Sequence, residues 1–285
     1  VIFAWAILAL VVVGLFLYWL FIIAEATYLG PWAVAWTYDL VARHYDRIKQ
    51  FNPQDESWYV AGPILRDLHG VERPLVLDVA TGTGRVPVAL LREGAGRWGA
   101  ILGLDLSWGM LHRARAKLGQ YGNVILVRYD ARHLPFDDDT FDAVTCMESL
   151  EFMPRPLDVL AEMVRVLAPG GTLLVTNRVG REAQLLPRRA ISRPGFREAL
   201  AALPLEQIDV RRWQVNYDLA AARKTGSRPV GPDGQQTAAS ILRCPGCGGA
   251  LDQVTGGLAC RLCRQLYPAR DGVVDLAGSM EKEVL

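Results

Sequence analysis

With 285 residues, 51% of them hydrophobic, the chain has enough apolar material for one full α/β core and a terminal module or two. Lys and Arg number 31 against 30 Asp and Glu, a net charge of +1, which excludes the general electrostatic footprint of a nucleic-acid binder and leaves RNA binding to local patches.

Residues 1–23 are an uncharged apolar run that would span about 34 Å as a helix, enough for a bilayer core. A secretory h-region is shorter and a core helix is seldom apolar on every face for so long, although Ala24-Glu25-Ala26 mimics a cleavage site. Residues 1–24 are therefore expected to be a transmembrane helix in contact with the lipid bilayer. Tyr18, Trp19, Tyr28, Trp32 and Trp36 form a candidate interfacial belt. The first basic residues, Arg43, Arg47 and Lys49, all follow the span, so the protein is expected to be a single-pass membrane protein with its globular part in the cytoplasm. Residues 25–73 are expected to hold an interfacial segment and helices at 38–46 and 58–68.

Leu75-Val76-Leu77-Asp78-Val79 reads as a buried parallel strand, and Ala80-Thr81-Gly82-Thr83-Gly84 as a glycine turn into a helix at 85–92. Asp105 closes the next apolar strand, twenty-one residues after Gly84, where a carboxylate can accept bonds from ribose hydroxyls. A dinucleotide site would want a third small residue where Pro87 stands, and Asp78 would repel a pyrophosphate but welcome a cationic amino-acid head group. The pattern favours S-adenosylmethionine over NAD. Ser107 is a good N-cap for a helix ending at Leu118. Strands are expected at 123–129, with Asp130 at its end, and at 141–146. A loop at 147–154 leads to a helix at 157–167 that is stopped by Pro169-Gly170-Gly171. Strands at 172–176, 205–213 and 213–223 complete the set. Cys146, in a buried strand, reads as inert core.

Four motifs occur in order: VLDVATGTGR, GLDLS, YDARHLPFDDDTFDAVTCMESLEFM and RVLAPGGTLLVTN. On these, residues 38–223 resemble the class I S-adenosylmethionine-dependent methyltransferases, most closely the ubiquinone and menaquinone C-methyltransferases. The resemblance implies an α/β fold with a Rossmann-like seven-stranded sheet, helices on both faces, and a catalytic domain at 74–223. It implies that Asp78, Ala80, Gly82 and Gly84 line the methionine end of the cofactor and that Asp105 holds the ribose. Leu106 and Met110 would flank the adenine, with Asp130 and Ala131 at its amino edge. Ala80 stands where the family usually has Gly.

The helix at 38–46 resembles the family's lid, which makes Tyr38, Tyr45 and Asp46 candidates for the acceptor side; an amphipathic helix packing its aromatics elsewhere is the alternative. Relatives carry a His pair where this chain has Leu150 and Glu151. Glu148 and Glu151 are the titratable groups of that loop. Glu148 and Tyr45 are the candidate catalytic groups, and Glu151 suits a cap or ion pair better. The basic stretch 178–203, with Arg181, Arg188, Arg189, Arg193 and Arg197, could hold an anionic substrate or a lipid head group, or could simply be a solvated face.

Residues 224–240 read as a linker, 241–277 as a small module and 278–285 as a tail. Cys244-Pro-Gly-Cys247 and Cys260-Arg-Leu-Cys263, twelve residues apart, have the spacing of a tetrahedral structural zinc site. Two disulfides are the alternative, which needs an oxidising compartment. The segment resembles the zinc-ribbon activators of methyltransferases acting on tRNA and translation factors, here fused in cis.

Three functions are consistent with this reading. The first is a membrane-anchored methyltransferase for a small lipophilic acceptor such as a quinone precursor, pigment or lipid. The second is an RNA or protein methyltransferase with a built-in activator module. The third is a non-catalytic subunit partnered within a larger membrane complex, against which the intact loop, Asp105 and Asp130 speak.

Overall fold

The computed structural model describes residues 2–94, 96–227 and 237–279; Val1, most of the expected linker (228–236) and residues 280–285 of the expected tail lie outside the described residues. Helix α1 (Ile2–Tyr18) buries no residue and continues through a π-helical turn, Trp19–Ile23. Together they are long and apolar enough to cross a membrane. The chain then bends through Glu25 and Ala26, at φ 48° and 58°, and buries Ala24, Ala26 and Thr27 against the domain. Arg189 ties this foot down by donating to the carbonyls of Thr27 (2.9 Å) and Met153 (3.0 Å).

The expected aromatic belt is largely spent on the protein itself. The Trp19 indole donates to the Leu185 carbonyl (3.0 Å) and stacks on Tyr28 (5.3 Å), whose hydroxyl donates to the Pro187 carbonyl. Trp32 packs on Arg128 at 5.1 Å. Of the five residues, Tyr18 and Trp36 remain exposed.

Helix α2 (Pro31–Val41) starts seven residues before the expected lid helix because Gly30 (φ 98°) breaks the chain and Pro31 is preorganised for a first helical position. It ends before Tyr45, so α3 (Tyr45–Lys49) is a separate turn rather than its continuation. Helix α4 (Pro53–Glu56), a π turn at Ser57–Ala61 and α5 (Gly62–Asp67) replace the simple helix expected at 58–68.

The alternating part is built from β1 (Leu75–Val79), α6 (Arg85–Glu93), β2 (Ala100–Asp105), α7 (Trp108–Leu118), β3 (Val124–Arg128), β4 (Phe141–Cys146), α8 (Pro156–Val166) and β5 (Leu167–Arg178). The strands β1 and β4 are buried at every position, as apolar runs in a parallel sheet covered on both faces must be. The Ser107 hydroxyl accepts from the Met110 amide, the expected cap. Pro169-Gly170-Gly171 does not stand outside the strand: β5 pairs Leu167 with Phe141, bulges through these residues, and resumes with Thr172 opposite Ala143. Helices α9 (Arg181–Gln184) and α10 (Arg193–Ala201) lead to the antiparallel pair β6 (Leu205–Trp213) and β7 (Tyr217–Lys224).

Helix α11 (Ala238–Ile241) opens the C-terminal module of β8 (Leu251–Val254), β9 (Gly257–Cys260), β10 (Leu266–Arg270) and β11 (Val273–Asp275). The sheet order is β6-β7-β5-β4-β1-β2-β3-β11-β10-β9-β8. Its first seven strands are the expected methyltransferase sheet, parallel except for β7. The C-terminal module extends that sheet, because β11 lies parallel to β3, pairing Val273, Val274 and Asp275 with Leu126, Val127 and Arg128. The module therefore docks on its own catalytic domain. An open β3 edge would present unpaired amides and carbonyls to other chains, and β11 covers it. Arg128 and Asp275, both buried, pair across the seam at 3.5 Å, and Asp137 pairs with Arg243 at 2.5 Å.

Because a module this small folds with its metal, removing zinc with a chelator should release β11 from β3. Hydrogen exchange of the amides of Val124–Arg128 should then quicken while those of β1 and β4 stay protected.

Candidate functional site

At the carboxyl ends of the parallel strands the chain reverses through Ala80, Gly82 and Gly84, all in the left-handed region at φ 55°, 54° and 82°. Space beside Gly82 is open, so a backbone can be approached there. Gly84 serves a different end from the expected one: a Cβ there would meet the Leu118 side chain at 2.7 Å, so its missing side chain lets α6 sit against α7, and it lies outside the cavity lining. Ala80 pays the steric cost of a left-handed residue with a Cβ.

The turn opens onto a cavity of about 800 Å³, solvent mouth included. Of the residues expected at a cofactor, Ala80, Gly82, Asp105, Leu106, Met110, Asp130 and Ala131 all line it. Its outer wall is Pro31, Val34, Ala35 and Tyr38 of α2, with Phe152 and Met153 alongside. A smaller adjoining cavity of about 350 Å³ is lined by Asp78, Thr83, Arg85 and Phe51. Tyr45, Ala80, Gly82, Met147 and Glu148 border both.

Asp105 accepts from the amides of Gly82 (2.8 Å) and Ser107 (2.9 Å), and burial holds its carboxyl above the usual range. Each of its oxygens keeps a second lone pair. Asp78 is buried, accepts from the Thr145 hydroxyl (2.6 Å), and is pushed by burial up to about 7. Asp130 accepts from the backbone amide and guanidinium of Arg132, both at 2.9 Å.

The two candidate catalytic groups sit at the junction of the cavities, and their surroundings change their chemistry. Glu148 pairs with Arg85 (2.7 Å) and Lys49 (3.3 Å); although burial opposes it, these cations hold its carboxyl below the usual range, which makes it a weak base. Burial drives the Tyr45 hydroxyl far above its ordinary range, so it stays protonated: it can donate a hydrogen bond but does not serve as a base. Asp46 does not face the cavity: it accepts from Thr83 (2.5 Å) and pairs with Lys117 (2.7 Å), fastening α3 to the glycine turn. Glu151 caps no helix; it accepts from the Tyr217 hydroxyl (2.6 Å) and pairs with Arg178 (3.6 Å). Burial pushes the Cys146 thiol up to about 12, in keeping with an inert core position.

Two groups escaped the sequence reading. Arg85 is buried between the rings of Phe51 (4.2 Å) and Trp213 (5.1 Å) and bridges Glu148 to Glu56 (2.6 Å). Its place in the GTGR motif was visible, but its partners are far off in the chain. Glu25, seen only as part of a cleavage-site mimic, accepts from the Tyr38 hydroxyl at 2.5 Å, and burial raises its carboxyl.

In the C-terminal module the four Sγ atoms of Cys244, Cys247, Cys260 and Cys263 lie within 4.8 Å of one another, with Cys244–Cys263 at 3.6 Å and Cys247–Cys260 at 3.4 Å. A tetrahedron of thiolates about 2.3 Å from zinc has edges of about 3.8 Å, so the set fits that ion. The Tyr267 hydroxyl lies 3.0 Å from the Cys244 sulfur, an outer contact of the kind that orients a ligand.

Comparison with known proteins agrees with both modules. Residues 77–175 match the family model of a methyltransferase domain, and residues 239–272 that of the Trm112p-like proteins. The demethylmenaquinone methyltransferase of Clavibacter sepedonicus is 37% identical over 147 residues, 51% of this chain and 58% of that protein. The chain thus spans little more than half the length of this relative. A complex between the Haloferax volcanii Trm112 methyltransferase activator and a methyltransferase superposes at a TM-score of 0.53 and 24% identity, over 66% of this chain and 98% of that one. The [4+2]-cyclase SpnF reaches 0.56 at 19% identity, over 70% and 98%. These two likenesses concern the fold, and the cyclase is a reminder that the fold alone does not set the reaction. The chain carries a class I S-adenosylmethionine-dependent methyltransferase domain with a Trm112p-like zinc-ribbon module.

Ala80 gives a direct test of the turn. Replacing it with glycine should remove the steric cost of its φ of 55°, stabilise the fold by about 1 kcal/mol and raise the thermal midpoint by about 2–4 °C, measured by a thermal melt of the full chain in detergent.

Proposed function

We propose that the chain is a membrane-anchored S-adenosylmethionine-dependent methyltransferase whose acceptor is a small lipophilic molecule: a quinone precursor, a pigment or a lipid. The observation that carries the reading is the outer wall of the cavity, which is made by α2, the first helix after the apolar span. An acceptor partitioned into a bilayer would have little water to cross before reaching it. The 37% identity to a demethylmenaquinone methyltransferase supports the same acceptor class.

In this proposal Asp105 accepts the ribose hydroxyls, Leu106 and Met110 hold the adenine ring between them, and Asp130 with Ala131 meets its amino edge. Asp78, Ala80 and Gly82 surround the methionine end, where a carboxylate beside the turn suits an ammonium group. The bound cofactor supplies an electrophilic methyl group. The chain's own residues position the acceptor and exclude water, which is the main demand of such a transfer. Tyr45, held protonated, donates a hydrogen bond to an acceptor oxygen, and Glu148 with Arg85 and Lys49 is a fixed, neutralised wall rather than the proton acceptor. The zinc ribbon acts as a staple on the sheet edge.

Titration calorimetry of the detergent-solubilised chain with S-adenosylmethionine tests the cofactor site: binding near the micromolar range should be lost in Asp105→Ala. A folded, zinc-loaded protein that binds nothing would overturn the enzyme reading. The acceptor class is checked separately, by whether radiolabelled methyl enters demethylmenaquinol in mixed micelles or only an RNA or protein fraction.

The pH dependence follows from Asp78. Burial pushes its carboxyl up to about 7, and a cationic head group beside it would pull that value down, so binding at lower pH must expel a proton. Affinity should be constant above pH 7 and fall about tenfold per unit as pH drops below it. Asp78→Asn should flatten the profile and remove the proton release seen when the calorimetry buffer is varied.

A further inference from the structure

Helix α2 has three faces. Val34, Ala35 and Tyr38 line the cavity, and Asp39 docks on α7 by accepting from the Ser107 hydroxyl (2.5 Å) and the Gly109 amide (2.7 Å). The third face is apolar yet bare: Trp36 and Leu40, one turn apart, are 56% and 62% exposed. Exposed large apolar side chains stacked on one helix face are the mark of a surface that something else covers.

Three observations identify the occupant. The face is continuous with the apolar span: seven residues separate Ile23 from Pro31, and Trp36 lies about 7.5 Å further along the α2 axis at a helical rise of 1.5 Å per residue. The foot of the span is locked to the domain through Trp19, Tyr28 and Arg189, so α2 cannot swing away from it. Exposed arginines also border the face. Arg43 and Arg47 follow the face, Arg188 lies beside the Pro187 carbonyl that Tyr28 binds, and all three are exposed with no ion-pair partner among the described residues. A helix with an aromatic and leucine face and arginines at its border is built to lie in the plane of a bilayer surface, and arginines there favour anionic lipid.

We infer that the outer face of α2 is a second bilayer contact, an in-plane interfacial helix seated on anionic lipid head groups, so that one helix has the membrane on one side and the cofactor cavity on the other. The inference rests on the anchoring of the chain by α1. It gives the lipophilic acceptor a short route, past the edge of α2 at Met153 and into the cavity.

The test uses the full chain in lipid nanodiscs, with tryptophan emission resolved by difference between the wild type and either Trp36→Phe or Trp5→Phe. Trp5 lies in α1 and reports the anchor; Trp36 reports the lid face. Lipids brominated near the head group should quench the Trp36 component at least about twofold more than lipids brominated deep in the chains, as for a side chain at the interface. Trp5, about 27 Å along the span from Ile23 at 1.5 Å per residue and so close to the far interface, should be quenched by these lipids wherever the span is inserted. The Trp36 quenching should strengthen when phosphatidylglycerol is added, and the joint variant Arg43→Gln, Arg47→Gln, Arg188→Gln should lose that lipid dependence. A Trp5 component quenched beside an unquenched Trp36 component overturns the inference and leaves the anchor standing. If neither is quenched, the anchor fails and the inference falls with it. Unaltered phosphatidylglycerol dependence in the arginine variant would remove the anionic-lipid assignment.

Discussion

The structure depends on one constraint: parallel strands all end at the same edge of a sheet, and the chain must turn there without filling the space in front of it. The reversal after β1 meets this with three consecutive alternate residues at positive φ, Ala80, Gly82 and Gly84. Gly82 leaves an approach open, Gly84 lets α6 settle against Leu118 and Ala114, and Ala80 is strained. The Asp105 carboxylate then grips the turn from the neighbouring strand through the Gly82 amide. The same interaction that fixes the loop also places an acceptor group at the cavity wall. Fold and site are thus one arrangement, in which loss of the carboxylate would loosen the turn as well as empty the wall.

The opposite edge of the parallel region poses the other physical problem. β3 would be an open edge, and the chain answers with its own C-terminal module rather than with a charged or shortened strand. The module cannot fold on apolar burial alone, and the cluster of four thiols supplies what the core lacks. Once folded, it adds β11 in register and places Asp275 against Arg128, whose guanidinium lies 5.1 Å from both the Trp32 and Trp108 rings. That arginine joins the ribbon, α7 and α2, so the staple at the sheet edge reaches the helix that walls the cavity through a single side chain.

What was legible in the sequence is what local chemistry dictates. The apolar runs of β1 and β4, the Ser107 cap and the two Cys-x-x-Cys knuckles each announce themselves within a few residues, and the structure has them there. The positions that were misjudged are those whose meaning lies far away in the chain. Glu148 looks like a free base until Arg85 and Lys49 are brought beside it from 63 and 99 residues away. Gly84 looks like a cofactor glycine until α7 packs over it. The helix expected at 38–46 begins instead at Pro31, because Gly30 at φ 98° and the proline after it set its start. The seam between β3 and β11 has no local signal, since nothing in a short Val-Val-Asp run specifies its partner.

Charged contacts, beside apolar packing by Trp32, Ala35 and Ala42, hold α2 and α3 on the rest of the domain. Asp39 holds the start of α7, Asp46 holds Thr83 and Lys117, and Lys49 holds Glu148. Hydrogen bonds to charged groups are worth about 1.5–3 kcal/mol when buried and much less when water can replace them. These pairs are half-buried, which puts them between the two regimes. A polar line of contacts leaves the apolar side chains of α2 free to line the cavity on one face and remain uncovered on the other, a division of labour within one short helix.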